Sequence, residues 1–108
     1  MNRQEQIQSE LDRMIRLIAD EPTVRRVILF GSSCGQESVR NWSDIDLCIV
    51  QDTELRFYDR LAWWLKRLSP EVGIDLVVYT PKEIEEMRAR NGFYRREIEA
   101  KGKELYAA

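Results

Sequence analysis

The chain has 108 residues, 44% hydrophobic and 33% charged, which suits one folded domain (residues 1–108) with a modest core and excludes a disordered chain. A formal net charge of −2, with no basic run longer than a pair such as Arg25–Arg26, argues against broad electrostatic capture of nucleic acid, and no direct nucleic-acid patch is evident. No apolar run approaches the roughly 20 residues of a membrane helix, and the opening "MNRQEQIQSELDRM" has no apolar leader core, so the expected compartment is the cytoplasm without membrane attachment.

Ile7, Leu11, Met14, Ile15 and Ile18 fall on one helical face, which predicts an amphipathic helix over 3–20, closed by Pro22. "VRRVILF" (24–30) and "SDIDLCIV" (43–50) read as strands. Phe57, Leu61, Trp64, Leu65 and Leu68 predict a second amphipathic helix, ended by Pro70 and Gly73. Trp63 then points away from that stripe, as a residue at an interface or one buried under another element of the chain would. "GIDLVVYT" (73–80) is a third strand. Pro81 suits the first turn of a helix over 81–90. After Asn91-Gly92, residues 93–101 form a last helix, stopped by Gly102, and "ELYA" forms a short edge strand. Helices alternating with strands rich in Val, Ile and Leu predict an α+β (or α/β) sheet with helices against it; strand order and direction stay open.

Chemistry in this chain has a narrow choice of groups. Histidine is absent, which removes Ser-His-Asp and Cys-His mechanisms and the commonest transition-metal ligand. Cys34 and Cys48 form no CxxC, so a thiolate zinc site or a disulfide framework is not expected. Cys34, without a partner base, reads as a small space-filling residue, and Cys48 as core.

Carboxylates remain. Side chains alternate along a strand, so Asp44 and Asp46 share one face while Ile45, Leu47 and Ile49 take the other. Asp75 lies between Ile74 and Leu76 in another apolar strand. If these strands are neighbours, three carboxylates converge. Such a cluster repels itself unless a cation sits in it, and magnesium is the natural choice because it takes oxygen ligands from carboxylates, water and phosphates. Two such ions can clamp the attacking and leaving oxygens of a phosphoryl or nucleotidyl transfer. Gly31-Ser32, following a strand, lets backbone approach a phosphate closely. Neither a Walker A loop nor a dinucleotide fingerprint is present.

With "LFGS" (29–32), "SDIDL" (43–47), "GIDLVVY" (73–79) and the closing "REIEAKGKELYA" (96–107), the sequence resembles the minimal nucleotidyltransferases of the DNA polymerase β superfamily. The resemblance implies a mixed sheet flanked by helices. It implies metal binding by Asp44, Asp46 and Asp75, with Asp75 also helping to deprotonate the acceptor, and a nucleoside triphosphate held by Gly31 and Ser32. It further implies magnesium, with two ions, and ATP as donor of AMP to a hydroxyl. Minimal members of this kind are often paired with a small helical HEPN-type protein, as antitoxins of toxin–antitoxin modules that can adenylylate the toxin. One departure is Gly35, in "GSSCGQES", where the family commonly places a base; another is Trp42 before Ser43. A second function therefore stays open: a catalytically weak or inactive domain that neutralises its partner by binding. Homo-oligomerisation is also open.

Overall fold

The computed structural model describes residues 2–31 and 44–108. Its elements are α1 (Arg3–Ala19), β1 (Val24–Leu29), β2 (Ile45–Gln51), α2 (Phe57–Leu68), β3 (Ile74–Tyr79), α3 (Pro81–Arg90), α4 (Tyr94–Ala100) and β4 (Lys103–Ala107). The four strands form one sheet in the order β3-β2-β1-β4. β1 runs antiparallel to β2 and to β4, whereas β2 and β3 are parallel. The mixed sheet is the one expected. The parallel step needs a crossover, and α2 supplies it.

Helices cover both faces of the sheet. On one face Met14 and Ile18 of α1 and Trp64 and Leu68 of α2 pack with Val27, Leu29, Leu47, Ile49 and Val78. On the other, Ile84 of α3 and Tyr94 and Ile98 of α4 pack with Ile28, Cys48 and Val50. β2 is central and covered on both sides, so all seven of its residues are buried.

The helix ends follow local chemistry. The Asn2 side chain accepts from the Glu5 N–H at 2.8 Å while Glu5 accepts from the Asn2 N–H, a reciprocal cap that fixes the start of α1. Thr80 and Glu83 repeat the arrangement at α3, with Pro81 just inside the helix. The last helix is expected, but its winding is not: α4 is a π-helix. The wide turn places Glu99 where the Tyr94 hydroxyl donates to it, five residues along the chain. Gly102 then permits a close approach, since a Cβ there would lie 2.3 Å from the Ile98 carbonyl and 2.6 Å from the Ile28 side chain.

Two expectations for α2 are corrected. The apolar spacing puts Leu65 in the core stripe, but it is 39% exposed. The row facing the sheet is Arg60, Trp64 and Leu68, a strict four-residue spacing that rotates the helix away from Leu65. The same rotation brings Trp63 inward. It is half-buried against the first core cluster, edge-on to Trp64 with ring centroids 4.9 Å apart, and the Arg67 guanidinium lies 4.2 Å over its ring. Trp63 is therefore part of the core margin, not an apolar ring facing away from it.

Arg60 is buried because every nitrogen of its guanidinium donates a hydrogen bond. It donates to the Leu55 carbonyl at 2.8 Å, the Val78 carbonyl at 2.9 Å and the Glu83 carboxylate at 2.7 Å. The Arg60 hydrogen bonds hold the Glu83 carboxyl below the ordinary carboxylate range. α2, β3 and α3 are tied together at this one point.

Candidate active site

The site is assembled by register. In the parallel pairing of β2 and β3, Asp46 and Asp75 are direct partners. Partners in neighbouring strands project to the same face, here the face of Cys48 and Val50. α3 and α4 fill that face farther along the strands, and the two aspartates occupy its beginning. Asp46 is buried at 3% exposure; Asp75, on the edge strand, is exposed.

β1 runs the opposite way, so its end arrives where β2 begins. The Phe30 N–H donates to the Asp46 carbonyl at 3.0 Å. Gly31 follows with φ +69°, a left-handed conformation that favours glycine. A Cβ at Gly31 would fall 2.3 Å from Asp46 Oδ2 and 3.2 Å from its Cγ. The glycine of "LFGS" thus has two functions: it turns the chain, and it leaves space for the Asp46 carboxylate.

Asp44 lies one residue ahead of β2. Its N–H donates to the Gly73 carbonyl at 2.9 Å, and its Oδ2 accepts from the Gly73 N–H at 2.9 Å. The same oxygen accepts from Arg3 Nη2 at 2.5 Å. Two of the three expected carboxylates therefore share a row and a face, while Asp44 is bound to Arg3 and to the start of β3. Among the described residues no three acidic or thiol side chains form a group able to hold one metal ion. Ser32, together with Cys34, Gly35 and Trp42, lies outside the described residues.

Arg3 carries no signal in the sequence that would have linked it to the site. It is 41 positions from Asp44, in a helix turn whose apolar pattern concerns the other side. Cys48 is buried as expected, and burial pushes its thiol up to about 12, which makes it a poor nucleophile near neutral pH.

Residues 12–107 match the family model described as "Polymerase beta, Nucleotidyltransferase". The chain belongs to this nucleotidyltransferase family. Its fold also resembles the 1.40 Å crystal structure of a candidate nucleotidyltransferase from Sulfolobus solfataricus, with 18% identity and a TM-score of 0.63 over 95% of this chain and 85% of that one. A comparison with curated proteins finds no match.

For a nucleotidyltransferase the group to test against the site is a divalent cation. Its donor set here is oxygen only, which suits magnesium and not a softer metal. The Arg3 guanidinium pairs with Asp44 Oδ2 and is the positive charge that this carboxylate meets in the structure. The space beside Gly31 keeps the Asp46 carboxylate in its place. The oxygen donors of Asp44, Asp46 and Asp75 suit such an ion in chemistry, but the structure does not gather them into a group able to hold one.

Proposed function

We propose that this nucleotidyltransferase domain transfers a nucleoside monophosphate, AMP from ATP, to a hydroxyl on a partner protein. Asp44, Asp46 and Asp75 would hold magnesium, which supplies charge neutralisation of the triphosphate. Gly31, and Ser32 after it, would let backbone N–H groups approach the phosphates. Asp75, exposed and in register with Asp46, would accept the proton of the acceptor hydroxyl. The acceptor oxygen bonds to the α-phosphorus as the bond to the bridging oxygen breaks, and pyrophosphate leaves in line. The observation that carries this reading is the Asp46–Asp75 register with Gly31 against Asp46, in a chain whose family is that of the nucleotidyltransferases.

The acceptor we propose is a small helical HEPN-type protein, which makes the domain the antitoxin of a toxin–antitoxin module. The test is incubation of the purified pair with magnesium and ATP, followed by intact-mass spectrometry of the partner. An added AMP group that disappears with Asp46→Asn supports the reading. One observation favours the alternative, a domain that neutralises by binding: Asp44 is already bound by Arg3 and Gly73. An unmodified partner that is nonetheless inhibited, equally by the native protein and by Asp46→Asn, would establish that alternative and refute transfer.

A further inference from the structure

The two edges of the sheet differ. In the order β3-β2-β1-β4, β3 and β4 are the outer strands among the described residues. The Gly73 carbonyl accepts from the Asp44 and Ile45 N–H groups, so Gly73 and every second residue after it address β2. Ile74, Leu76 and Val78 then turn their backbone groups outward. At Val78 that edge is closed, because Arg60 donates to the outward carbonyl at 2.9 Å. β4 carries no such plug. The Ala108 N–H donates to the Arg25 carbonyl at 2.8 Å, and Tyr106 is the register partner of Val27. Ala107, between them, turns its N–H and carbonyl away from β1, and no described side chain bonds to either. We propose that β4 pairs with β4 of a second copy of this chain, about a two-fold axis at Ala107, to join the two sheets into one.

Strand, helix and charge all fit that occupant. Antiparallel pairing about a residue whose N–H and carbonyl both face outward gives two hydrogen bonds at once, one in each direction. Ala107 is exposed, and its methyl puts nothing bulky at the axis. α1 packs on β1 and β4 alike, so it lies over the line between them. With strands about 4.8 Å apart, that line is about 5 Å from the axis, and the two α1 helices come to about 10 Å from each other. Helices in contact lie about 8–10 Å apart. Between α1 and β4 runs a groove of about 310 Å³, lined by Gln8, Leu11, Asp12, Ile15, Arg16 and Leu105. The second copy covers it, and the half-buried Ile15 and Leu105 lose their remaining exposure.

The charges on this groove are self-complementary. A short turn joins α1 to β1, so α1 runs antiparallel to β1 and parallel to β4. An axis at Ala107, two residues beyond Leu105 or about 7 Å, falls in the stretch of α1 between Asp12 and Arg16. Across a two-fold there, Asp12 of each copy meets Arg16 of the other. The two are four residues apart in one helix, yet they do not pair with each other. Asp12 accepts from Gln8 at 2.9 Å, and Arg16 has no partner among the described residues. A second copy supplies an opposite charge to both. Asp46 and Asp75 lie on β2 and β3, away from the shared edge, so the dimer leaves both candidate sites open.

The test is sedimentation equilibrium of the full chain, from low micromolar to near-millimolar concentration, with circular dichroism to confirm that each variant folds. The native protein should form a dimer and nothing larger, since Arg60 closes the β3 edge. Ala107→Pro removes the outward N–H without touching the β1 ladder, and should weaken the dimer about tenfold through its two symmetric hydrogen bonds. Arg16→Asp sets like charges against each other twice and should also weaken it about tenfold. Asp12→Arg combined with Arg16→Asp exchanges the charges and should restore native affinity. If Ala107→Pro does not fold, the charge series decides alone. A native protein that stays monomeric throughout, or assembles beyond a dimer, overturns the proposal. So does a dimer that either substitution leaves intact, or one that Arg16→Asp weakens and the double exchange does not rescue, because the shared face is then elsewhere.

Discussion

Replacing Gly31 by alanine tests how the strand end and the carboxylate are fitted together. Two separate costs arise. The backbone has φ +69°, where an L-residue with a side chain loses ~1–2 kcal/mol. The new Cβ would also stand 2.3 Å from Asp46 Oδ2, and Asp46, at 3% exposure, has little room to retreat. Overpacking of this kind costs ~1–3 kcal/mol. Together they predict a loss of about 2–5 kcal/mol, a fall of roughly 10 °C or more in Tm for a domain of this size. The two parts separate in a second background. In an Asp46→Ala protein the overlap is gone and the dihedral strain remains, so Gly31→Ala should there cost only ~1–2 kcal/mol. Urea unfolding followed by circular dichroism gives all four stabilities. Equal costs in the two backgrounds would refute the contact between Gly31 and Asp46.

Arg60→Met should lower stability by about 2–3 kcal/mol, because it leaves the buried Val78 carbonyl without its donor and removes the partner of Glu83. It should also flatten the acid limb of stability. The Glu83 carboxyl is depressed in the native state by the Arg60 hydrogen bonds, so its contribution is present above its unfolded value and lost as pH falls through its folded value. A chemical-denaturation series from neutral pH downward that showed the same slope in both proteins would contradict this. In a Cys34→Ser protein the remaining thiol, Cys48, should stay unlabelled by a thiol reagent at mildly alkaline pH until the chain unfolds, since burial pushes it up to about 12; rapid labelling of folded protein would place it elsewhere. Trp63→Ala should cost about 2 kcal/mol of folding stability, roughly half the loss for a fully buried tryptophan, because the ring packs between Trp64 and Arg67. Unchanged unfolding in urea would return Trp63 to the surface.

The sheet was legible because its strands carry their own evidence. "VRRVIL", "IDLCIVQ" and "IDLVVY" are dense in β-branched residues, and the alternation around Asp46 already separated Ile45, Leu47 and Ile49 from Cys48. Strand order was not legible, since nothing local says whether β3 lies beside β1 or β2. That single fact decides whether Asp75 reaches Asp46. The phase of α2 failed for a related reason. Leu65 is apolar and Arg60 is charged, so a pattern of hydrophobic positions puts the wrong residue inside. The error comes from treating arginine as a surface residue when three acceptors, contributed by the α2 approach, β3 and α3, are waiting for its guanidinium.

The site divides along the same line. Gly31, Asp46 and Asp75 could be found because the chemistry of each is written beside it: a glycine at a strand end, acids interrupting apolar runs. The state of Asp44 could not, because it depends on Arg3 and Gly73, neither of which is near it in sequence. Gly73 reaches Asp44 through the β2–β3 pairing, since its N–H and carbonyl both address that residue at the start of the parallel ladder. Arg3 reaches it through the packing of α1 on the sheet, which the apolar stripe of α1 implies only as a surface and not as a register. A charge pattern along one segment thus reveals which residues can do chemistry. What those residues are bound to is fixed by contacts between segments, and at Asp44 those contacts are the Arg3 guanidinium and the Gly73 amide.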